Sequence, residues 1–202
     1  MKLFLESADP HEIRACAERG SIQGVLLSAP RELLAGGSLL AEICGVFPGP
    51  VIAALGDDPA EGVAGGLLGR ARVLARVAPN VIVELPFGEE GLAALRACVP
   101  DGLRAHVTRC STPVQALEAA RAGAVYVSPI GARAGERPGG PADPDLIRKI
   151  VAAGKTHRLA AEVLVLSARS AGDLLDAAVA GAQNASVTLS TLRRITEPTE
   201  CG

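Results

Sequence analysis

Apolar runs of strand length recur at Lys2–Glu6, Ile22–Leu27, Val51–Leu55, Asn80–Leu85, Leu103–Arg109, Ala124–Ser128, Ala160–Leu166 and Asn184–Thr188. Between them apolar residues return at spacings of three and four, as in Leu92, Leu95 and Val99 or Leu174, Leu175 and Ala178, which is the period of an amphipathic helix. The strand runs are nearly continuous in Val, Ile, Leu and Ala and so suit a parallel sheet buried on both faces. Helix starts are marked as well. Pro10 and Pro59 each follow Asp, and Pro113 follows Thr, the arrangement of a first-turn proline behind a polar cap. Eight strand–helix units of about 25 residues predict an α/β fold of the (β/α)8 TIM-barrel type in a single domain. An open doubly wound sheet is the alternative, but no G-x-G-x-x-G follows the first strand to mark a dinucleotide site. The expected barrel spans residues 1–198, with 199–202 as a short tail. Gly131–Pro144, with its glycines and prolines, reads as a mobile loop after the sixth strand.

Composition narrows the function. The chain has 202 residues, 49% of them hydrophobic, ample for a sizeable core. Its net charge of −2 gives no electrostatic reason to expect nucleic acid or an anionic membrane surface. Phe4, Phe47, Phe87 and Tyr126 are the only aromatics, so the stacking platforms of single-strand or sugar-ring binders are missing. No apolar run approaches the roughly 18 to 20 residues of a membrane span. The opening Met1–Glu6 is too short for a signal-peptide core, which makes a cytoplasmic protein the expectation. Five cysteines without a C-x-x-C spacing read as reduced thiols, with Cys16, Cys44 and Cys98 as small core residues.

In a barrel of this kind the reacting groups come from the C-terminal ends of strands and the loops that follow. The polar residues there are Glu6, Ser28, Glu84, Thr108, Arg109, Ser128, Arg133, Ser167 and Arg169. Period-two alternation puts His106 on the face of Thr108, one layer deeper. Two readings of His106 stand open: an acid–base partner for a carboxylate, or a core histidine satisfied by a neighbour. Glu84 is likewise either a reacting carboxylate or a structural charge paired with Arg109 or another cation. A buried carboxylate has to find a cation, a metal or a proton. Glu6, Glu84 and His106 have no recognisable ligand spacing, so no metal is assigned, and no cofactor is called for.

Several motifs resemble one family. Phe4-Leu5-Glu6-Ser7-Ala8-Asp9 is similar to the F-L-D-T-A-D opening of the short transaldolases and fructose-6-phosphate aldolases. Ala78-Pro79-Asn80-Val81-Ile82-Val83-Glu84-Leu85-Pro86 resembles their A-P-N-V-V-V-K-I-P strand, and Glu89-Glu90-Gly91-Leu92 the E-E-G-L after it. His106-Val107-Thr108, Gln115-Ala116-Leu117 and the run Ala122 to Pro129 resemble N-V-T, Q-A-L and A-G-A-x-Y-V-S-P, and the segments from Glu162 to Arg169 and Ala177 to Ala182 continue the likeness.

The resemblance implies a (β/α)8 barrel, a sugar-phosphate substrate and ring-like homo-oligomers. It also exposes departures. The family's Schiff-base lysine falls on Glu84, which cannot form an imine, and the chain's lysines are Lys2, Lys149 and Lys155. The family's opening aspartate becomes Glu6, and Ser28 lies in the segment replacing T-T-N-P, whereas Thr108 is kept. The resemblance places phosphate ligands on Arg133, Ser167 and Arg169, whose guanidinium forks and hydroxyl suit a dianion. The expectation is an enzyme acting on a phosphorylated sugar or related carbonyl compound through Glu84, Glu6, His106 and Thr108, with Arg133, Ser167, Arg169 and Ser28 binding substrate. The alternatives are a non-catalytic relative that binds a phosphorylated metabolite or a protein partner, and a metal-dependent lyase using Glu6, Glu84 and His106.

Overall fold

The computed structural model describes residues 1–27, 38–55, 66–131 and 142–196. Eight strands, β1 (Lys2–Glu6), β2 (Gly24–Leu27), β3 (Val51–Ala54), β4 (Val81–Pro86), β5 (Arg104–Cys110), β6 (Tyr126–Pro129), β7 (Glu162–Val165) and β8 (Asn184–Thr188), pair in sequence order. All pairs are parallel, and β8 returns to β1 to close the barrel. The helices that alternate with them are α1 (Pro10–Glu18), α2 (Ser38–Val46), α3 (Gly66–Ala75), α4 (Glu89–Cys98), α5 (Pro113–Arg121), α6 (Pro144–Thr156), α7 (Ala171–Val179) and α8 (Leu189–Thr196).

Local chemistry explains the element ends. The Asp9 carboxylate accepts from the His11 N–H at 2.8 Å, and the Thr112 hydroxyl from the Gln115 N–H at 3.2 Å, so Pro10 and Pro113 stand in first turns as expected. Pro59 and most of the Gly131–Pro144 segment lie outside the described residues, as does the 199–202 tail. Some strands are shorter than their apolar runs. Ala124 is buried, yet its N–H turns back to the Ala119 carbonyl at 3.1 Å, so it serves the core from a turn.

Alternation along each strand sorts the core into two shells. Leu5, Val25, Val51, Val83, Val107, Val165 and Val187 face the helices, whereas Phe4, Leu26, Ile52, Ile82, Tyr126 and Leu164 fill the barrel. Phe4 and Tyr126 meet edge to face, with centroids 5.5 Å apart. Gly24, the register partner of Phe4, is glycine because a Cβ there would overlap the Phe4 ring. Gly91, in the first turn of α4, lies against the Pro86 carbonyl so closely that a Cβ has no room, and this seats the helix on the end of β4.

At the N-terminal end of the barrel, Lys2 Nζ lies 3.1 Å from Glu162 Oε1, and Asn184 Nδ2 donates to Glu162 Oε2 at 2.9 Å. Burial pushes the Glu162 carboxyl up, but the hydrogen bonds from Asn184 and Lys2 outweigh it and leave the group below its ordinary range. Cys16, Cys98 and Cys110 are buried free thiols and Cys44 is half-buried. Burial pushes Cys44 up to about 11 and Cys110 up to about 12. Among the described residues no helix is long and apolar enough to cross a membrane.

Candidate active site

Register brings the first pair together. Glu84 on β4 is opposite His106 on β5, and both point into the C-terminal half of the barrel. The Glu84 side chain keeps 22% exposure, while His106 is fully buried. Glu84 Oε2 lies 3.6 Å from His106 Nδ1, an ion-pair separation longer than a hydrogen bond. On its other side the ring meets Ser128 of β6, with Nε2 2.7 Å from the Ser128 hydroxyl oxygen. That hydroxyl donates to the Leu164 carbonyl at 2.5 Å. A chain of polar groups therefore runs from the open end of the barrel, through Glu84, His106 and Ser128, to the backbone of β7.

Thr108 shares the inward face of β5 and is buried, its hydroxyl 3.5 Å from the Leu85 carbonyl, a long contact. Beyond it the ladder slips: Val107 is level with Val127, but Cys110 with Pro129, so Thr108 and Arg109 occupy a bulge. Arg109 takes a left-handed conformation there, with φ of 63°, and its side chain is exposed.

A second cluster forms on the opposite wall, where β1 lies between β8 and β2. Glu6 Oε1 accepts from the Ser186 hydroxyl at 2.5 Å, the Ser167 N–H at 3.0 Å and the Ser167 hydroxyl at 3.1 Å. The Ser167 N–H is shared with Ser186 Oγ at 2.9 Å. Ser167 has φ of 54°, so Glu6 holds the turn after β7 in a conformation that non-glycine residues seldom adopt. The next residues are pinned too. The Arg169 N–H donates to Asp173 Oδ2 at 2.9 Å, and the Arg169 carbonyl accepts from Arg194 Nη2 at 2.8 Å, leaving an exposed Arg169 side chain on a fixed backbone.

The structure thus joins Glu84 with His106, and Glu6 with Ser167, on facing walls of one barrel. Ser28 and Arg133 lie outside the described residues. Each lysine sits elsewhere: Lys2 at the N-terminal end of the barrel, Lys149 paired with Asp145 on the outer face of α6, and Lys155 in the last turn of that helix. Among the described residues no group of three His, Cys, Asp or Glu side chains is placed to hold a metal ion. Ser186, the shortest contact of Glu6, escapes the sequence reading. Its signal is the polar face Asn184, Ser186 and Thr188 of β8, set against the outward Ala185 and Val187.

Acidic and imidazole groups at the carboxyl ends of a closed parallel barrel are the arrangement of a (β/α)8 protein with its chemistry at that face. Solved structures share the fold. The crystal structure of "a putative deoxyribose-phosphate aldolase" from Coccidioides immitis superposes with a TM-score of 0.66 at 14% identity, over 97% of this chain and 84% of that one. That of "a putative fructose-1,6-biphosphate aldolase" from the same organism gives 0.64 at 16%, over 93% and 76%. The family model Transaldolase/Fructose-6-phosphate aldolase matches residues 40–200. A "Probable transaldolase" of Caulobacter vibrioides is 36% identical over 90% of this chain and 82% of its own. One of Desulfotalea psychrophila is 36% identical over 98% and 91%. The chain belongs to the transaldolase/fructose-6-phosphate aldolase family.

Proposed function

We propose that this barrel acts on a phosphorylated sugar or related carbonyl compound by carboxylate–imidazole proton transfer, without a lysine Schiff base. The observation that carries the reading is the Glu84–His106 pair, a partly open carboxylate backed by a fully buried imidazole. Aldol cleavage, isomerisation and dehydration of such compounds all require a proton to leave a hydroxyl or a carbon next to the carbonyl. Glu84 is the group that reaches the substrate and takes that proton, and His106 behind it supplies or receives charge as Glu84 changes state. The Thr108 hydroxyl, one layer nearer the C-terminal mouth on the same wall, orients a water or substrate oxygen.

Glu6 faces the substrate from the other wall as a carboxylate whose Oε1 is committed to three donors, and it fixes Ser167 and the turn that presents Arg169. Phosphate binding near the loops after the seventh and eighth strands is common in this architecture. Arg169 is assigned there, joined by Arg133 and Ser28 from the segments outside the described residues, while Ser167, expected as a further ligand, has its hydroxyl and N–H donated to Glu6 and shapes the turn. Relatives named "Probable transaldolase" support the enzymatic reading. The one-turn spacing of exposed Leu175 and Val179 on α7 supports a homo-oligomer, and the charge balance a cytoplasmic protein without nucleic-acid or membrane partners.

The alternative, a non-catalytic binder of a phosphorylated metabolite, draws on the commitment of Glu6 to structural hydrogen bonds. Both readings meet in one experiment. A panel of ketose and aldose phosphates is screened by thermal shift, and each ligand that stabilises the fold is followed for conversion and treated with borohydride. Conversion without a borohydride-stable adduct supports the proposal. Binding without conversion supports the alternative, and a covalent adduct on any lysine overturns the mechanism.

A further inference from the structure

We propose that Ser128 is a positioning residue that fixes His106 as the Nε2–H tautomer, so that Nδ1 faces Glu84 and the two share a single proton. The Ser128 hydroxyl has one proton, and the Leu164 carbonyl, which can only accept, takes it at 2.5 Å. At 2.7 Å from His106 Nε2, the Ser128 oxygen therefore accepts, and the proton of that contact belongs to the ring. The main-chain carbonyl of β7 thus sets the tautomer of a side chain on β5, through a hydroxyl on β6.

Nδ1 is what remains. It is buried, makes no hydrogen bond, and has the Glu84 carboxylate 3.6 Å away. A neutral ring facing an ionised carboxylate would set two lone pairs against each other at a ring nitrogen that is itself fully buried. One proton removes the conflict. It rests on Nδ1 as an imidazolium facing the carboxylate, or on Glu84 as a carboxylic acid aimed at Nδ1. The pair has the same net charge in both states, so the proton can change sides without stranding a buried charge.

Among the described residues other than Glu84, those beside the ring bring no charge of their own. Thr108 and Ser128 are neutral. Tyr126 is edge-on to His106 at 6.4 Å, and burial raises its phenol above the ordinary value, so it stays protonated. Arg109 is exposed in the bulge, and Glu6 belongs to the opposite wall. Because His106 is fully buried and Glu84 is not, the stored proton reaches a substrate only through Glu84. The catalytic use of that proton rests on the function proposed above, whereas its position in the resting protein does not.

Two-bond 1H–15N spectra of histidine-labelled full-length protein at neutral pH test the inference, with the His106 signals assigned by their loss in His106→Gln. The wild type is expected to show a protonated Nε2 and an Nδ1 displaced toward its protonated position. In Glu84→Gln the Nε2 proton stays, and Nδ1 moves to the position of a bare ring nitrogen. Ser128→Ala releases the tautomer and populates Nδ1–H, and Ser128→Thr, which keeps the hydroxyl, restores the wild-type pattern. Should Ser128→Ala not fold, the wild type and Glu84→Gln decide between them. A bare Nε2 in the wild type, or an Nδ1 signal that Glu84→Gln leaves unmoved, overturns the inference. The spectra need no turnover: the expected signals in a protein without activity contradict the proposed function alone, and turnover with the opposite tautomer contradicts this inference alone.

Discussion

Replacing Glu6 with alanine removes the acceptor that ties β1 to β8 and to the turn after β7. Three hydrogen bonds end on Glu6 Oε1, but they are not equivalent. Ser186 is fully buried, so its hydroxyl loses its acceptor where water cannot replace it, at a cost of about 1 to 3 kcal/mol. The Ser167 N–H keeps Ser186 Oγ at 2.9 Å and loses little. The Ser167 hydroxyl is partly open and rehydrates, adding about 1 kcal/mol. The expected loss is about 3 kcal/mol, which in a domain of this size lowers Tm by roughly 6 to 12 °C. Glu6→Gln retains an acceptor oxygen and should cost about 1 kcal/mol. In the double variant Glu6→Ala/Ser186→Ala the orphaned hydroxyl is gone, so the two effects should fall short of additive by about 1 to 2 kcal/mol. Urea unfolding of wild type, Glu6→Ala, Glu6→Gln, Ser186→Ala and the double variant, checked by thermal melts, reads all of these values. A Glu6→Ala protein as stable as wild type, or strict additivity in the double variant, would refute the assignment of Glu6 as the acceptor that holds this wall.

Three further outcomes are expected of the same barrel. Gly24→Ala should destabilise by about 1 to 3 kcal/mol through its overlap with Phe4, and Phe4→Leu in the same chain should recover part of it; equal urea midpoints for Gly24→Ala and wild type would contradict the packing. Cys44 and Cys110 titrate at about 11 and about 12 when folded, against an ordinary 9.0, so the unfolded chain releases these protons first. Their contribution to stability is intact below pH 9 and is lost as pH rises from there toward 12, a decline that urea midpoints from pH 7 to 10.5 should begin to register and that Cys110→Ala should reduce. Arg169→Ala should weaken a sugar phosphate by about 1.5 to 3 kcal/mol in calorimetry, while an unchanged Kd would remove Arg169 from the phosphate site.

The barrel was legible because its strand runs are uninterrupted and its helices announce themselves: Asp9 with Pro10, and Thr112 with Pro113, begin helices where the pattern places them. Strand alternation put His106 on the face of Thr108, but which face of the strand points into the barrel was not legible. Nor were the partners of His106. Whether His106 meets a carboxylate depends on the register of β4 against β5, and nothing local to either strand encodes that register. The bulge at Thr108 and Arg109 left no trace, because neither residue is a glycine or asparagine that would advertise a left-handed turn. Ser167 carried the expectation of a phosphate ligand, and its hydroxyl turns out to be donated to Glu6, a residue 161 positions away. Contacts of that kind belong to barrel closure, in which β1 meets β8, and a linear reading has no access to them.

Solvent-deuterium exchange gives the most direct test of Glu84 as the proton-transferring group. A ketose or aldose phosphate that the protein binds is incubated with it in D2O, and the proton next to the carbonyl is followed by 1H NMR. Exchange or conversion is expected of the wild type, and at least a 100-fold slower rate, on the order of what general-base catalysis supplies, of a folded Glu84→Gln variant that still binds the ligand. Undiminished exchange in Glu84→Gln, or none by the wild type with any ligand it binds, would contradict that role for Glu84.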